Sequence, residues 1–543
     1  MMASSFYFPG RLLEKLERIS EMPVTVVVAP EGYGKTTIVA QKTAESDLKT
    51  YWIDSEELIA KRQYDRICEE FERISPAFAA ELAEEGLPRS DNALTIMNLI
   101  HKHEEIIDEC IVVFDKFQLL QTLLPDRLLS ALLHHQGRKL HLVFLTSYMW
   151  EGLLFDPGAA LLIDTEDFII DSSEIMRYFG SEKTEISPEE AVHIFELTNG
   201  WNLAVYSLLQ KRIYASAEIT ENETQSCLNK LILNRYSSDL NHVMLCLNPF
   251  DRFTDETISF VLDDHLVLSS ILNKLRSTPL VSYNLITHEY HPHPTVSRCF
   301  RMLLDEMSLA QKRWIFRRAG DYYGSQGNTI KQLWCYGESE DGELILQLDH
   351  VTISHYLEGD ENYADLAESI LKRCSPEILF QHPVSLLCFA RQLFFVGRSV
   401  AAEQICEKLK LHAEQSGDNN LLGETALVCA LGEFPRISRM REEYETAARL
   451  IAGQSAIFQA SGSFLCGYPS MAGLFHLQPG YADSTAEEFE QAIRIFTEIS
   501  GGQGAGADLL FRGELALMRC QFDEALIFAY KAEAAAGAFS QHG

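Results

Sequence analysis

The sequence lacks the features that would place it in a membrane, outside the cell or on nucleic acid. It has no run of about 18 apolar residues that could span a bilayer, and its first residues form no signal peptide. None of its 12 cysteines forms a C-x-x-C pair, which favours small core residues in a reducing compartment. No run of Lys and Arg offsets the balance of 46 basic against 78 acidic residues, a formal charge of −32. Such a surface repels nucleic acid and anionic lipid. With neither a signal peptide nor a membrane span, we expect a cytoplasmic protein without membrane contact.

The length of 543 residues exceeds what one hydrophobic core usually organises. The order of the predicted elements indicates a multidomain protein that is α/β at first and all-α afterwards. We predict a P-loop nucleotide-binding domain with a parallel sheet (1–170), a small helical domain (171–237), a winged-helix domain (238–305) and a helical solenoid similar to tetratricopeptide repeats (306–543).

The segment 24–40 has the layout of a P-loop: a strand, a turn with two glycines and the start of an apolar helix. Glycine N–H groups in such a turn can face phosphate oxygens. Lys35 would reach the β- and γ-phosphates, and the Thr36 hydroxyl would bind Mg²⁺. Ala29 stands where the pattern has glycine, and an ordinary strand–turn–helix with chance glycines is the alternative. The predicted nucleotide-binding residues here are Gly32, Tyr33, Gly34, Lys35, Thr36 and Thr37.

Asp115 ends the apolar strand Cys110–Asp115, where a Walker B acid would bind Mg²⁺ directly or through water. The alternative is a strand-end acid that caps the next turn. We predict Asp115 as the catalytic residue and, together with Thr36, as a metal-binding residue. The following residue, Lys116, cannot accept a proton from an attacking water while it is charged. The sequence therefore predicts at most a slow ATPase.

Other short apolar runs alternate with helical patterns in the first 170 residues. Thr50–Asp54 and Leu140–Thr146 read as strands, and a long helical region from Ala60 to His103 is broken near Gly86. Strands that alternate with helices predict a parallel sheet covered on both faces. Four of the five histidines in this part show no metal-ligand spacing and are interpreted as surface residues: His101, His103, His134 and His135.

Three short helical stretches between Asp239 and Leu275 precede two short strands, which predicts a winged helix with its wing at Asn284–His288. His293 follows the second strand, where a surface or capping role is the alternative to a functional one. From about Ser308 onward the pattern is helical, and small and large residues recur at tetratricopeptide-like spacing. The clearest repeat consists of Leu509, Gly513, Ala516, Ala525, Ala529 and Ala532.

Taken together, these features resemble the MalT-type branch of the LuxR-family transcriptional regulators, which are signal-transduction ATPases with numerous domains (STAND). The resemblance covers residues 6–305 well. In the helical repeats it is limited to the general spacing of small and large residues. It rests on Arg11–Leu16, Ala29–Thr37, Val112–Leu120, Leu197–Trp201 and His293–Pro294.

The resemblance implies ATP, ADP and Mg²⁺ as ligands, with His293 on the phosphates of bound ADP. It also implies that an inducer or a regulatory protein binds the helical repeats, and that the ATP-bound form self-associates. Three departures weaken nucleotide sensing and hydrolysis more than binding, because Lys116, Tyr148 and Pro9 stand where the family has Asp, Arg and Arg. Family members continue to a C-terminal helix-turn-helix, whereas this sequence ends at Ser540–Gly543 within the predicted repeats.

The leading hypothesis is a nucleotide-regulated switch in which ADP holds a closed form and ATP favours an open one. One alternative is a turnover ATPase, and another is a degenerate protein-binding scaffold without nucleotide. Direct DNA binding by the chain is not expected, because its only candidate reader, residues 238–304, has few basic residues and more acidic ones.

Overall fold

A computed structural model describes residues 6–55, 60–120, 124–148, 160–215, 221–262, 268–278, 280–284, 286–459, 470–475 and 478–539. The chain divides into two compact units, Met1–Ser308 and Leu309–Gly543. No helix within the described ranges is long and apolar enough to cross a bilayer. Residue 285 of the predicted wing and the chain end at 540–543 lie outside the described residues.

In the described part of the first unit, five parallel strands form a sheet. They are β1 (Val24–Val28), β2 (Lys49–Asp54), β3 (Cys110–Asp115), β4 (Leu140–Thr146) and β5 (Leu161–Ile163). Their spatial order is β2-β3-β4-β1-β5, and every neighbouring pair is parallel. The predicted parallel sheet is confirmed, although the three-residue β5 was too short for the sequence pattern to reveal.

The central strands are buried on both faces, which explains their continuous apolar sequences. Every residue of β1 and β4 is buried, whereas the edge strand β2 is mostly half-exposed. The register pairs Val28 of β1 with Thr146 of β4, and Phe114 of β3 with Phe144 of β4. The carboxyl ends of β1, β3 and β4 therefore lie side by side at one edge of the sheet.

Helices cover this sheet and connect its strands. Ser75 interrupts the predicted long helical region, because its hydroxyl accepts a hydrogen bond from the backbone N–H of Phe78 and Pro76 begins a new helix. The region is therefore three helices with two breaks and not two helices with one. The helices of this part are α1 (Gly10–Leu16), α2 (Lys35–Glu45), α3 (Ala60–Ile74), α4 (Pro76–Glu85), α5 (Ala93–Glu104), α6 (Phe117–Leu120), α7 (Asp126–Leu133) and α8 (Thr165–Phe168).

Helices continue to the end of the small helical segment. Asp171 begins the first of them with a capping box, in which its carboxylate accepts from the backbone of Glu174 and the Glu174 side chain accepts in return. These helices are α9 (Ser172–Ser181), α10 (Pro188–Thr198), α11 (Asn202–Ala215) and α12 (Glu221–Arg235).

The last part of the first unit contains three helices, two antiparallel strands and a final helix, in the predicted order. They are α13 (Ser238–Leu247), α14 (Asp255–Leu262), α15 (Leu268–Ser277), β6 (Val281–Asn284), β7 (Glu289–Pro292) and α16 (Pro294–Glu306). The assignment of this part as a winged helix stays a prediction.

All regular secondary structure in the described residues of the second unit is helical, and many helices adjacent in sequence pack against each other. Gly513 permits one such close contact, since a Cβ there would lie 3.3 Å from Cβ of Phe528. The tetratricopeptide character of the unit stays a prediction. Its helices are α17 (Leu309–Ser325), α18 (Thr329–Glu338), α19 (Gly342–Leu346), α20 (His350–Tyr356), α21 (Glu361–Arg373), α22 (Pro376–Leu379), α23 (Pro383–Phe395), α24 (Ser399–Ser416), α25 (Asn419–Gly432), α26 (Ile437–Leu450), α27 (Met471–Leu474), α28 (Ala482–Ile499), α29 (Ala507–Met518) and α30 (Phe522–Ala538).

Candidate nucleotide site at the carboxyl edge of the sheet

The turn between β1 and α2 has the backbone angles that a phosphate-binding loop requires. Gly32 and Gly34 have φ values of +84° and +87°, which residues with a Cβ rarely adopt. A Cβ on Gly34 would also lie 2.9 Å from the ring of Phe8. Ala29, which replaces the first glycine of the pattern, prolongs the strand pairing instead, because its N–H donates to the carbonyl of Thr146 at 3.2 Å. The sequence thus has glycine at the two turn positions where φ is positive.

The two residues predicted to bind Mg²⁺ are brought together. Thr36 lies in the first turn of α2, and Asp115 ends β3. The Thr36 hydroxyl lies 3.2 and 3.1 Å from the two carboxylate oxygens of Asp115. These hard oxygen donors fit Mg²⁺, which takes octahedral oxygen ligands at about 2.0–2.1 Å. Thr36 and Asp115 would hold the ion, which would neutralise phosphate charge when bound.

Lys35 is folded back onto the loop that precedes it. Its ammonium group donates to the carbonyl of Ala29 and, at 3.1 Å, to that of Pro30. Burial lowers the pKa of Lys35 to about 8, against the opposing influence of Asp115 and Glu31. The ammonium is therefore mostly charged at pH 7, and it would leave two carbonyls to reach a phosphate.

A cleft of about 800 Å³ opens over these residues. This volume lies within the range of about 300–1,000 Å³ that small-molecule sites occupy. Of the predicted site residues, the cleft brings together Gly32, Gly34, Lys35, Thr36, Thr37 and Asp115. The other lining residues are Phe6, Glu31, Lys116, Gln118, Leu119, Leu145, Ser147, Leu203 and Arg235.

Tyr33 and His293, also predicted to bind the nucleotide, do not line the cleft. Tyr33 is 3% exposed, and burial raises the pKa of its hydroxyl, so only its backbone could face a phosphate. His293 immediately precedes α16, with its ring centroid 5.9 Å from that of Trp201. Trp201 in turn lies against the P-loop, since a Cβ on Gly32 would be 2.7 Å from its indole nitrogen. A direct contact between His293 and phosphate stays a prediction.

The His293 ring is shielded from water. Neither of its nitrogens has a hydrogen-bond partner among the described residues. Burial lowers the pKa of His293 to about 4, so the ring is neutral at pH 7.

Lys116 occupies a left-handed backbone position directly after Asp115, with φ of +55°. Its N–H donates to the Asp115 carboxylate at 2.9 Å, and its ammonium lies 3.6 Å from a carboxylate oxygen of Asp54. The position that often carries a second acid is therefore filled by a cation that neutralises the acid at the end of β2.

Several residues of the cleft were missed by sequence reasoning. Gln118 accepts a hydrogen bond from the backbone N–H of Ser147 at 3.2 Å, which ties the segment after β3 to the end of β4. Arg235, at the end of α12, lies 3.7 Å from Glu31 of the P-loop. Short spacing from Asp115 could have suggested Gln118, but no local pattern singles out Arg235.

The interpretation of four histidines as surface residues is wrong for two of them. His101 and His134 are exposed, whereas His103 and His135 are only 4% and 1% exposed. His103 stacks on Phe78 at 4.9 Å between ring centroids. Helix packing, which the spacing of histidines does not reveal, buries these two rings.

No known protein-family model matches the chain, and no curated protein matches it. Among solved structures, it is similar to a Walker-type ATPase of Pyrococcus abyssi, with 17% identity over 54% of this chain and 96% of that one, at a TM-score of 0.36. A STAND protein with a tetratricopeptide repeat sensor from Pyrococcus horikoshii shows 14% identity over 99% and 78%, at a TM-score of 0.34. A RuvB variant of Thermotoga maritima shows 13% identity over 54% and 92%, at a TM-score of 0.29. Similarity at this level assigns neither a family nor a function.

Proposed function

We propose that the first unit binds an adenine nucleotide with Mg²⁺ and that the protein is a nucleotide-controlled switch. The observation that carries this proposal is the contact between Thr36 and Asp115 beside the Gly32–Gly34 turn. A phosphate-binding turn, a Mg²⁺ ligand pair and a lysine within one cleft are the parts that nucleoside triphosphate binding needs. Adenine as the base is inferred from the sequence resemblance.

Binding would begin with an exchange of partners at Lys35. In the described conformation its ammonium is held by two backbone carbonyls, and phosphate oxygens would replace them as stronger, charged acceptors. The N–H groups of the turn and the positive end of the α2 dipole would face the same phosphates.

The helical segment that follows the P-loop domain is well placed to respond to this exchange. The N–H of Leu203 donates to the carbonyl of Gly32 at 3.1 Å, and the indole of Trp201 packs on the same glycine. Arg235 faces Glu31. A phosphate at the turn would change each of these contacts, which gives ATP and ADP a way to favour different arrangements.

Hydrolysis would be slow, because Lys116 replaces a proton acceptor and pairs with Asp54. The protein would therefore use the identity of the bound nucleotide as a signal and would not perform steady chemical work. Turnover at ordinary enzyme rates, about 1–1,000 per second, would contradict this.

The finer proposal is a cytoplasmic transcriptional regulator of the LuxR and MalT type. An inducer small molecule or a regulatory protein would bind the helical second unit, and the ATP-bound form would self-associate. These steps are supported by the sequence resemblance and need direct tests of ligand binding and of oligomeric state with each nucleotide.

The part at 238–305 would act as an intramolecular lid without reading DNA. Two of its few basic residues already have partners inside it: Arg276 donates to the Tyr290 hydroxyl at 2.7 Å, and Arg252 lies 3.3 Å from Glu289. Phosphate binding would have to break these contacts. Micromolar binding of this chain to random duplex DNA at low salt would refute the lid.

Calorimetric titration with ATP and Mg²⁺ tests the core of the proposal. Lys35→Ala should weaken binding by about tenfold or more, as expected for loss of a charge-assisted phosphate contact. The matched control is Lys42→Ala, on the same helix but outside the cleft, which should bind as wild type does. Equal affinities for wild type and Lys35→Ala would overturn the proposal, and absence of binding by the wild type would favour the scaffold alternative.

A further inference from the structure

The last turn of α5 and the segment after α7 meet in a cluster of two imidazoles and a carboxylate. His101 and Glu104 are three residues apart on α5, so they project from the same face. His135 reaches them from the segment after α7. The potential ligand atoms of all three lie within 4.8 Å of one another.

His135 is a buried side chain whose ring has no hydrogen-bond partner. It is 1% exposed, and neither of its nitrogens makes a hydrogen bond among the described residues. Its Nε2 lies 3.4 Å from Oε1 of Glu104. A buried polar group without a partner is costly and needs an explanation.

Glu104 is held in place by the backbone and not by a cationic side chain. Its Oε1 accepts from the N–H groups of Lys139 and Leu140 at 3.0 and 3.1 Å. Gly137 makes room for it, because a Cβ there would lie 1.8–2.1 Å from the carboxylate atoms. Two of the three groups, Glu104 and His135, are therefore fixed by the fold before any ion binds.

His101 provides the solvent-facing side of the cluster. It is exposed, and its ring stacks near that of His135 with 5.7 Å between centroids. Since its side chain is free of the core, a small rotation would bring it to the separation that tetrahedral ligands need. A fourth position would stay open to water.

We propose that His101, Glu104 and His135 form a binding site for a divalent transition metal ion, with Zn²⁺ as the preferred class. Two imidazoles and one carboxylate are a common zinc donor set, with bonds of about 2.0–2.2 Å. The ion would fasten the end of α5 to the segment that leads into β4.

His103 on the same helix shows why the cluster differs from an ordinary buried histidine. Its Nε2 lies 3.3 Å from Glu81, and its ring stacks on Phe78. No third ligand joins this pair within the described residues. His103 therefore has one acidic neighbour, whereas His135 is grouped with two further candidate metal ligands, His101 and Glu104.

The test is a zinc titration of untagged full-length protein that has been stripped with a chelator and kept reduced. Competition with a chromophoric chelator should show one tight Zn²⁺ equivalent in the wild type. His101→Gln should lose this equivalent while its folding is unaffected, because His101 is exposed. His134→Gln, which removes the adjacent exposed histidine outside the cluster, should retain it.

A second measurement separates this site from the cysteines. Co²⁺ bound by the wild type should give the visible absorption of a four-coordinate site with nitrogen and oxygen ligands. His101→Gln and Glu104→Gln should both lack that absorption. Zinc binding by His101→Gln that equals the wild type, or a wild type with no tight equivalent, would overturn the proposal.

Discussion

The two units use their polar contacts differently. In the first, Thr36, Asp115 and Lys35 contact one another or the backbone at the edge of an open cleft, where a ligand could take over those contacts. In the second, Arg391 is 2% exposed and lies 2.7 Å from Glu358 within a helical core. The polar groups at the ends of the strands can therefore replace their present contacts by contacts with a ligand. The Arg391–Glu358 pair between helices is enclosed by packing. Substitutions in the cleft should change ligand chemistry, and substitutions in the helical core should change stability.

The largest effect is expected from Glu358→Gln. Removal of this carboxylate leaves the Arg391 guanidinium buried without its counter-charge, and two of its three nitrogens already lack a partner among the described residues. Breaking a buried ion pair costs about 3–5 kcal/mol. Urea denaturation should show that loss in the free energy of unfolding, and nucleotide affinity should not change.

Glu361→Gln is the matched control, since Glu361 pairs with Arg398 at 2.6 Å but is 65% exposed. A surface pair contributes about 0–1 kcal/mol. Equal costs for the two glutamate substitutions would show that the Arg391 pair is not enclosed as described.

Lys116→Asp should change the rate of ATP hydrolysis and leave the free energy of unfolding unchanged. It would place a proton acceptor beside Asp115 and release Asp54 from its cation. A positioned general base contributes about 100-fold or more, so steady-state ATP hydrolysis should rise by about 100-fold. Lys116→Ala separates loss of the cation from gain of the base. Equal hydrolysis rates for the two variants would show that a carboxylate at position 116 does not act as a proton acceptor.

Alanine substitutions at two glycines of the second unit would measure the free-energy cost of overpacking between helices. Gly506 and Gly480 have the same φ of +89°, but a Cβ on Gly506 would lie 2.6 Å from the carbonyl oxygen of Ala532, and one on Gly480 would meet no described residue within 4 Å. Both alanine substitutions carry the left-handed strain of about 1–2 kcal/mol. Gly506→Ala should cost about 1–3 kcal/mol more, as overpacking does. Urea midpoints of the two variants would check this difference, and identical midpoints would contradict it.

The smallest effect expected is a pH dependence of nucleotide affinity. Burial holds the pKa of Lys35 at about 8 in the free protein, and bound phosphates would raise it because they favour the charged form. Binding is then strongest below pH 8 and weakens as the pH rises through that value, by about tenfold between pH 7 and pH 9. Lys35→Arg should bind with a flat profile over that range, since arginine stays protonated. A flat profile in the wild type would show that Lys35 does not contact the phosphates.

Local patterns in the sequence predicted much of the fold. The bounds of β3 and β4 agree with the prediction to the residue, because continuous β-branched and aliphatic runs suit strands that are buried on both faces. The turn glycines were equally predictable, because only glycine adopts positive φ at low cost. The break at Ser75 and the strand β5 were missed because each depends on only a few residues.

The sequence by itself determined which residues are candidates for binding phosphate and Mg²⁺, because their chemistry and spacing are local properties. Only the tertiary structure decided which of them meet. Asp115 reaches Thr36 because β4 lies between β3 and β1, an order that no single segment encodes. The cluster of His101, Glu104 and His135 has the same origin, since helix packing brings His135 to α5. Strand order and helix packing are set by burial over the whole chain, so these contacts exist only in the folded protein.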